Sequence, residues 1–315
     1  MAESDESFED PRPRIAVVGA GVAGLRCARR IEYYGRVQVF DKGRFPGGRV
    51  CTRDRDGLHF EHGAQYLSPQ DIRFAAEVQR WKRDGVVEAG PADGSWVGTP
   101  NMRALGAYLA DGLSIEHVQV TAVGETELMT KDGVRGPFDI ILLAVPLPQA
   151  STLLWVAPDS PAKSLLSASR YRPCWTLMAA FDEALPIESP RRTPGADIGW
   201  AMRQAGAGER WVLQAGGPWS RRHLELEKDE AAGAIWQRFC EEQDVELPAP
   251  SFLRAHRWRY AFVDAPLGVD CYYDAELGLG LCGDGFLGTR VEDAWLSGDA
   301  LADAVIEDLE ARRIR

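Results

Sequence analysis

The 315-residue sequence predicts an α/β fold with two lobes. Two strands of the buried type, at residues 15–18 and 37–40, flank a helix, an order typical of a parallel sheet covered by helices. A short apolar strand at 278–281 and a helix that opens at 290–298 lie near the end of the chain. Between these regions, strand-like runs and a helix at about 221–243 predict a second, α+β lobe.

The turn after the first strand has the spacing G-x-G-x-x-G, formed by Gly19, Gly21 and Gly24. The first glycine permits a sharp turn, the second lets the backbone approach a pyrophosphate, and the third lets the helix pack close to the strand. The second strand ends at Asp41, near the offset at which an acidic side chain meets a ribose hydroxyl. These features predict a Rossmann-like dinucleotide site, and a purely structural glycine turn is the alternative.

A second glycine turn follows at Pro46, Gly47 and Gly48, and Arg49 comes directly after it. Backbone N–H groups and a guanidinium are well suited to phosphate. A site for NAD does not need this second turn. The pattern therefore favours another dinucleotide.

The middle of the first lobe is predicted from periodicity and capping signals. A helix is expected to be capped from Ser68 and to carry Ile72, Val78 and Trp81 on its apolar face. The patterns beyond it predict three more elements, which are a helix at 101–111, a strand at 115–123 and a buried strand at 138–145.

The second lobe is predicted as an antiparallel sheet with one long helix. Strand-like runs occur at 174–181 and 211–215, and Ser220 would cap the helix at 221–243. Six of the ten tryptophans lie between residues 156 and 260. Core packing is the favoured interpretation for any single tryptophan, because large aromatic side chains dominate core burial, and a box for a planar ligand is the alternative.

Composition excludes several function classes. A net charge of -11 argues against nucleic acid and against an anionic membrane surface, since both favour basic proteins, and no apolar run reaches the roughly 20 residues that span a bilayer. The acidic N-terminus lacks the features of a signal peptide and predicts a disordered tail at 1–12. Six cysteines without a C-x-x-C pair indicate a reduced, cytoplasmic protein, and the histidine spacing predicts no metal site.

Seven sequence blocks carry a resemblance that covers nearly the whole chain after the acidic tail. They read GAGVAGL, FPGGR, GAQY, AVPLPQAS, WSRRHL, AHRWRYA and CGDGFLGTRVEDAWLSG. The glycine unit, the G-G-R turn and the C-terminal Gly-Asp pair resemble the flavin-dependent amine oxidase superfamily. The whole series is most similar to the renalase family, above all its bacterial members. The resemblance implies FAD as the cofactor.

The implied fold is a Rossmann-like FAD-binding domain of the amine oxidase/p-hydroxybenzoate hydroxylase type with a second α+β substrate lobe. The FAD-binding domain is expected to be discontinuous and is assigned to residues 13–70, 99–152 and 263–315. The substrate-binding lobe is assigned to residues 71–98 and 153–262.

The resemblance also implies which residues hold FAD. The start of the final helix is expected to face the flavin, where a helix N-terminus can stabilise negative charge. The residues expected to contact FAD are Gly19, Ala20, Gly21, Ala23, Gly24, Asp41, Lys42, Gly47, Gly48, Arg49, Gly63, Ala64, Gln65, Tyr66, Val120, Trp258, Gly283, Asp284, Arg290, Val291 and Ala294.

The implied activity is that of an FAD-dependent oxidase. It would take a hydride from isomeric dihydronicotinamides, 2- or 6-dihydro-NAD(P), to flavin N5 and reduce O2 to H2O2. Holding the two rings together supplies most of such catalysis, and no acid, base or nucleophile is required. Two alternatives stay open: an amine-oxidase-type flavoenzyme that oxidises a C–N or C–C bond of another small metabolite, and a non-catalytic flavin-binding protein.

The sequence departs from the family pattern in the second lobe. In renalases an asparagine and a histidine line the site above the flavin, and Gln204 and Gln214 align with those positions here. Together with Tyr66 they are the predicted catalytic residues. Glutamine keeps the donor and acceptor of an amide but cannot become cationic. The substrate is therefore less well predicted than FAD, and the sequence does not predict the oligomeric state or a preference between NAD and NADP.

Overall fold

The computed structural model describes residues 10–55, 57–154, 161–193 and 195–314. Of the predicted acidic tail, residues 1–9 lie outside the described part. The rest of the tail contacts the first lobe, because Arg12 donates to the Glu32 carbonyl and its own carbonyl accepts from Arg36 Nε at 3.1 Å.

A six-stranded sheet forms the centre of the first lobe. In spatial order its strands are β17 (Tyr272–Asp274), β18 (Leu279–Leu281), β11 (Ile140–Leu143), β1 (Arg14–Val18), β2 (Arg36–Phe40) and β7 (Ile115–Glu116). All neighbours are parallel except β17 and β18. The strands predicted at the two ends of the chain therefore join one sheet, as expected for the Rossmann-like domain.

Both faces of this sheet are covered, which is why its central strands β1, β11 and β18 are almost entirely apolar. Along β1, Ile15 and Val17 pack against helices, while Ala16 and Val18 pack against the opposite layer. The helical layer contains α1 (Val22–Ile31), α2 (Ile72–Arg83), α3 (Arg103–Ala110) and α9 (Val291–Ile314). The opposite layer contains β8 (Val120–Val123), β9 (Leu128–Thr130), β10 (Gly133–Arg135), α4 (Leu147–Leu153), α5 (Pro161–Ala168) and α8 (Asp284–Leu287).

Two small hairpins complete the first lobe. They are formed by β3 (Arg53–Arg55) with β4 (Leu58–Phe60), and by β5 (Val87–Ala89) with β6 (Trp96–Gly98). Phe60 of β4 packs against Met178 and Val212 of the second lobe. This hairpin therefore helps to hold the two lobes together.

The second lobe is a five-stranded antiparallel sheet with two helices. In spatial order its strands are β13 (Arg191–Arg192), β14 (Ile198–Arg203), β15 (Glu209–Ala215), β12 (Arg170–Phe181) and β16 (Phe252–Ala265). The helices α6 (Gly217–Arg222) and α7 (Lys228–Glu241) pack on one face. Trp175 and Trp211 are fully buried under these helices, as the core interpretation predicts for single tryptophans. The other face is directed at the first lobe, where Met178 and Val212 contact Phe60.

Two predicted elements are each split in the structure. The strand predicted at 115–123 becomes β7 in the main sheet and β8 in the small sheet. The helix predicted at 221–243 becomes α6 and α7, and Ser220 does not cap it but lies inside α6, where its hydroxyl accepts from the Trp175 N–H at 3.1 Å. Arg257 contacts the break between the helices by donating to the Leu224 carbonyl at 2.6 Å. A long-range contact of this kind leaves no local sequence signal.

The start of α2 also differs from the prediction. Asp71, not Ser68, caps the helix by accepting from the Arg73 N–H at 2.8 Å. The apolar face of α2 is formed by Phe74, Val78 and Trp81, at the spacing i, i+4 and i+7. The predicted face is therefore confirmed for Val78 and Trp81 and wrong for Ile72, which is 84% exposed.

The packing corrects the predicted division into lobes at two places. Residues 71–98 were assigned to the substrate lobe, but Phe74 and Trp81 share a core with Ile15 of the main sheet. Helix α5 also packs on the first lobe, through Leu166. Apolar side chains pack into the nearest large hydrophobic core. For residues 71–98 and for α5, this is the core of the first lobe.

Candidate active site

A cavity of about 2020 Å³ lies between the two lobes and runs from the start of α1 to the inner face of the second sheet. Pockets for one small molecule usually occupy roughly 300 to 1,000 Å³. The cavity therefore has room for an extended cofactor and a substrate together.

The glycine turn at one end of the cavity has the geometry that its spacing predicts. Gly19 has φ +111°, and a Cβ on Gly24 would lie 2.0 Å from the Gly19 carbonyl oxygen, so α1 packs directly on the turn. A Cβ on Gly21 would meet nothing within 4 Å. This open space at the start of α1 is where a ligand phosphate can approach the backbone.

Asp41 is held beside this turn at the end of β2. One carboxylate oxygen accepts from the Ala20 N–H at 2.7 Å, and the other accepts from the Gly43 N–H at 2.6 Å. The acid is therefore oriented by backbone alone, at the edge of the cavity. Ala20 contributes through this contact and does not itself line the cavity.

The second glycine turn packs on the first one. Gly47 donates its N–H to the Ala20 carbonyl at 2.7 Å, and a Cβ on Gly48 would lie 3.2 Å from Gly21 Cα. Gly48 also has φ +60°, a conformation that favours glycine. Both turns present backbone to the same end of the cavity, as phosphate binding requires.

The side chain of Arg49 is engaged mainly by protein groups. Its Nη1 lies 2.5 Å from Asp284 Oδ2 and donates to the carbonyls of Tyr260 and Ala261 at 3.2 and 3.1 Å. Burial alone would lower the pKa of Arg49, but the Asp284 carboxylate outweighs burial and raises the pKa. Arg49 also lines the cavity, and its predicted contact with phosphate stays a prediction.

The turn predicted to run along the flavin passes close to this arginine. A Cβ on Gly63 would lie 1.9 Å from the Arg49 carbonyl oxygen, which also accepts the Ala64 N–H at 2.9 Å. From the other end of the chain, Gly283 donates its N–H to Ser297 of α9 at 2.9 Å. Segments far apart in sequence thus form one wall of the cavity.

A row of five side chains crosses the second sheet on the face directed at the first lobe. Cross-strand partners share a face, and the register joins five residues, Arg192, Trp200, Gln214, Thr176 and His256, in that order. All except the fully buried Thr176 line the cavity. We call this set the transverse row.

The two predicted glutamines have different positions. Gln214 lies in the transverse row, and its amide nitrogen is 3.4 Å from the Gly63 carbonyl oxygen. Gln204 lies outside the cavity beyond the end of β14, where its amide oxygen accepts from the Glu61 N–H at 2.9 Å. The prediction that both face the substrate is therefore wrong for Gln204, which ties the two lobes together instead.

Aromatic side chains connect the transverse row to the turn at residues 63–66, which is predicted to run along the flavin. Tyr66 lies with its ring centroid 6.1 Å from that of Trp200, and the Trp200 indole donates to Gln65 Oε1 at 3.4 Å. Trp258 donates its indole N–H to the His62 carbonyl at 2.9 Å, and the two rings stack at 5.3 Å. The predicted site residues Tyr66, Gln65 and Trp258 thus lie together.

Two histidines near this wall are uncharged at neutral pH. Burial lowers the pKa of His62 from its ordinary value of 6.5 to about 3, with the nearby His256 as a further cause. Burial likewise lowers the pKa of His256 to about 4, with Arg53 as the next cause. The ring centroids are 5.0 Å apart. The pair therefore offers neutral donors and acceptors to the cavity.

Acid should destabilise the protein as the pH falls from about 6.5 to 4, because the unfolded chain then binds protons that the folded imidazoles reject. Each such proton changes the free energy of unfolding by about 1.4 kcal/mol per pH unit. His256→Gln should make this dependence shallower in urea denaturation from pH 7 to 4. The exposed His117→Gln serves as the control. Equal slopes for the parent and His256→Gln would contradict the assignment.

Most of the predicted site residues line the cavity. Those that do are Gly19, Gly21, Ala23, Asp41, Lys42, Gly47, Gly48, Arg49, Gly63, Ala64, Gln65, Tyr66, Val120, Gln214, Trp258, Gly283, Asp284, Arg290, Val291 and Ala294. Ala20 and Gly24 do not line the cavity but shape the glycine turn, Ala20 through its backbone hydrogen bonds and Gly24 by its close packing on Gly19. Sequence reasoning missed His62, His256, Arg172 and Arg221, although the alternation in AHRWRYA puts His256 on the same face as Trp258.

The residues present fit FAD. In the part of the chain that the structure describes, two buried donors in the cavity wall have no partner, namely Gln65 Nε2 and Arg53 Nε. The open space at Gly21 suits a diphosphate, and Asp41 suits a ribose. Unpaired buried donors are costly, and a ligand rich in acceptors would satisfy them.

Gly21→Ala should weaken FAD binding by about tenfold or more, because the new methyl group occupies the space through which the phosphate approaches. The backbone of Gly21 suits alanine, with φ -77° and ψ 174°, so the stability of the apoprotein should change little. Gly233→Ala in α7 is the matched control, since its Cβ also meets nothing within 4 Å. FAD titration of the apoproteins measures the difference, and equal affinities would mean that the phosphate lies elsewhere.

No described helix is both long and apolar enough to cross a bilayer. Within the same residues, no group of three or more His, Cys, Asp or Glu side chains is arranged to hold a metal ion.

Two kinds of known protein are similar to this chain, namely curated proteins and proteins of solved structure. Among curated proteins, the 4,4'-diapophytoene desaturase (4,4'-diaponeurosporene-forming) of Staphylococcus haemolyticus (strain JCSC1435) is 39% identical over 70 residues, which is 22% of this chain and 14% of the desaturase. The enzyme of the same name from Staphylococcus aureus (strain Newman) is 40% identical over 60 residues, 19% of this chain and 12% of that enzyme. The match therefore spans only a small part of these desaturases.

Solved structures match over nearly the full length. A candidate protoporphyrinogen oxidase from Exiguobacterium sp. 255-15 has a TM-score of 0.75 at 14% identity, covering 96% of this chain and 99% of that one. Reduced UDP-galactopyranose mutase has a TM-score of 0.71 at 10% identity, covering 94% and 96%. A redesigned putrescine oxidase has a TM-score of 0.67 at 12% identity, covering 94% and 99%. At such low identity these similarities show the fold alone.

Family descriptions match two consecutive regions. The NAD(P)-binding Rossmann-like domain matches residues 17–80, and the flavin containing amine oxidoreductase family matches residues 87–306, more than half of the chain. The chain therefore belongs to the flavin containing amine oxidoreductase family and is an FAD-dependent oxidoreductase.

Proposed function

We propose that this protein is a renalase-like oxidase that acts on dihydronicotinamide isomers, 2- or 6-dihydro-NAD(P), with O2 as the final acceptor and H2O2 as product. The observation that carries the proposal is the transverse row. Besides the exposed guanidinium of Arg192 at its end, the row presents an amide, a neutral imidazole and an indole to the cavity, which suits a planar, uncharged ring with a carboxamide.

The charge of the second-lobe wall supports this substrate over an amine. Among the described residues 161–193 and 195–265, Asp264 is the one carboxylate that lines the cavity. It is occupied by Arg172 and Arg221, at 2.9 and 2.6 Å. A cationic amine would therefore find no free carboxylate on this wall, whereas an anionic nucleotide would find arginines.

When bound, FAD supplies the acceptor for the hydride and passes the electrons on to O2. The protein itself has to hold the donor ring. Gln214 can bind the carboxamide with both its donor and its acceptor, and Trp200 can cover the ring face. His256 can donate or accept one hydrogen bond without changing charge. Such positioning can supply several kcal/mol of catalysis, about 7 to 11 at most.

Anaerobic mixing with possible donors tests the proposal. The FAD-loaded protein should lose its flavin absorbance with 2- or 6-dihydronicotinamide nucleotides, and H2O2 should form in proportion when air returns. Putrescine and other small amines should leave the spectrum unchanged. Bleaching by amines alone would overturn the proposal in favour of amine oxidation, and bleaching by neither class would favour a non-catalytic flavoprotein.

A further inference from the structure

Two arginines share one carboxylate at the rim of the cavity. Arg172 Nη1 lies 2.9 Å from Asp264 Oδ1, and Arg221 Nη2 lies 2.6 Å from Asp264 Oδ2. Two positive charges thus face one negative charge, which leaves the group with a net charge of about +1. The two arginine side chains remain 42% and 52% exposed, so their other N–H groups can reach a ligand. We call these three residues the rim cluster.

The position of Arg172 in the rim cluster is fixed by its surroundings. Its guanidinium lies over the Phe262 ring, 5.1 Å from the centroid. Its Cδ would be only 3.0 Å from a Cβ on Gly217, so the absence of a side chain there gives the arginine room. Contacts of this kind reduce the entropy that a long side chain loses on binding, which favours a preformed site.

The rim cluster lies at some distance from the transverse row but on the same wall. Arg172 precedes Thr176 by four positions in β12, a separation of about 13 Å. The elements expected to bind the FAD diphosphate, which are the start of α1 and the turn at Gly47 and Gly48, belong to the first lobe instead. A substrate with its ring on the row would extend its far end towards the rim cluster.

We propose that the rim cluster binds a phosphate group of the substrate and makes the enzyme selective for phosphorylated nucleotides over the corresponding nucleosides. This inference rests on the proposed function and deepens it. A guanidinium is suited to phosphate because its planar fork can donate two parallel hydrogen bonds. The existing ion pairs are no obstacle, because exposed pairs of this kind contribute little free energy and can rearrange.

Two neighbouring arginines of α6 make a matched pair for the test. Arg221 and Arg222 are 52% and 58% exposed, and each pairs with one aspartate of the second lobe, Asp264 and Asp197 respectively. Only Arg221 lines the cavity. Arg221→Gln and Arg222→Gln therefore each remove one positive charge in similar surroundings. The first change lies in the proposed site and the second lies outside it.

The first measurement compares donors with and without phosphate. For a dihydronicotinamide mononucleotide or dinucleotide, Arg221→Gln should raise KM about tenfold, the effect of losing one charge-assisted contact. For the dihydronicotinamide riboside, which lacks phosphate, KM should not change. Arg222→Gln should resemble the parent with every donor. An equal rise for riboside and nucleotide would overturn the proposal, as would loss of FAD from Arg221→Gln at normal folding.

A second measurement is independent of turnover. Inorganic diphosphate is titrated into the FAD-loaded proteins by calorimetry. The parent and Arg222→Gln should bind it with similar affinity, and Arg221→Gln about tenfold more weakly. Equal affinity in all three proteins, or no binding to the parent, would refute the rim cluster as a phosphate site even if dihydronicotinamides prove to be substrates. Conversely, weaker binding of diphosphate by Arg221→Gln alone would support the rim cluster as a phosphate site, even if dihydronicotinamides prove not to be substrates.

Discussion

Gln214→Leu should slow reduction of the flavin by the true donor about a hundredfold while FAD content stays normal. Gln214 lies in the transverse row beside Trp200, with its amide directed at the cavity and at the Gly63 carbonyl. Leucine keeps a similar volume but cannot bind a carboxamide. Small displacements of a donor ring can cost about a hundredfold in rate, equivalent to about 2.7 kcal/mol of transition-state stabilisation.

Stopped-flow reduction under anaerobic conditions measures this effect, and Gln204→Leu is the control from the same lobe. Removing Gln204 leaves the partly buried Glu61 N–H without its acceptor, which should cost about 1 kcal/mol of stability. Its rate of reduction per bound FAD should stay near that of the parent, because Gln204 lies outside the cavity. If Gln214→Leu is reduced as fast as the parent at every donor concentration, the transverse row does not position the substrate.

The first lobe could be predicted because its site depends on short-range backbone geometry. Gly24 must lack a side chain since a Cβ would lie 2.0 Å from the Gly19 oxygen, five residues away in sequence. Asp41 reaches the Ala20 N–H from the next strand of the same unit. Such constraints recur wherever strand, turn and helix follow at this spacing, so the sequence motif carries them.

The second lobe could be predicted only in part, because its site depends on the register between distant strands. Gln204 and Gln214 are ten residues apart in one hairpin, and the register that pairs Trp200 with Gln214 puts Gln204 four residues further along, beyond the end of β14. The sequence pattern does not give this register, so it could not show which of the two glutamines reaches the cavity. His256 enters the row only because β16 pairs with β12 at Thr176, and that pairing joins strands eighty residues apart.

Arg49→Met should destabilise the apoprotein by about 3 to 5 kcal/mol, in addition to any effect on FAD. The replaced guanidinium is the ion-pair partner of Asp284, whose side chain is only 5% exposed. Without it, the carboxylate keeps the Tyr171 hydroxyl, at 3.0 Å, as its side-chain donor. The carbonyls of Tyr260 and Ala261 also lose their contact with Arg49, so the joint between the lobes should weaken.

Urea denaturation of the apoprotein tests this without interference from the cofactor. Arg238→Met provides a comparison at the surface, where Arg238 pairs with Asp197 while 43% exposed, and should cost less than about 1 kcal/mol. Adding Asp284→Asn to Arg49→Met should restore part of the lost stability, because the second change removes the unpaired buried charge. If Arg49→Met is no less stable than Arg238→Met and loses only FAD affinity, phosphate binding is the main role of Arg49. The pair with Asp284 would then contribute little to holding the lobes together.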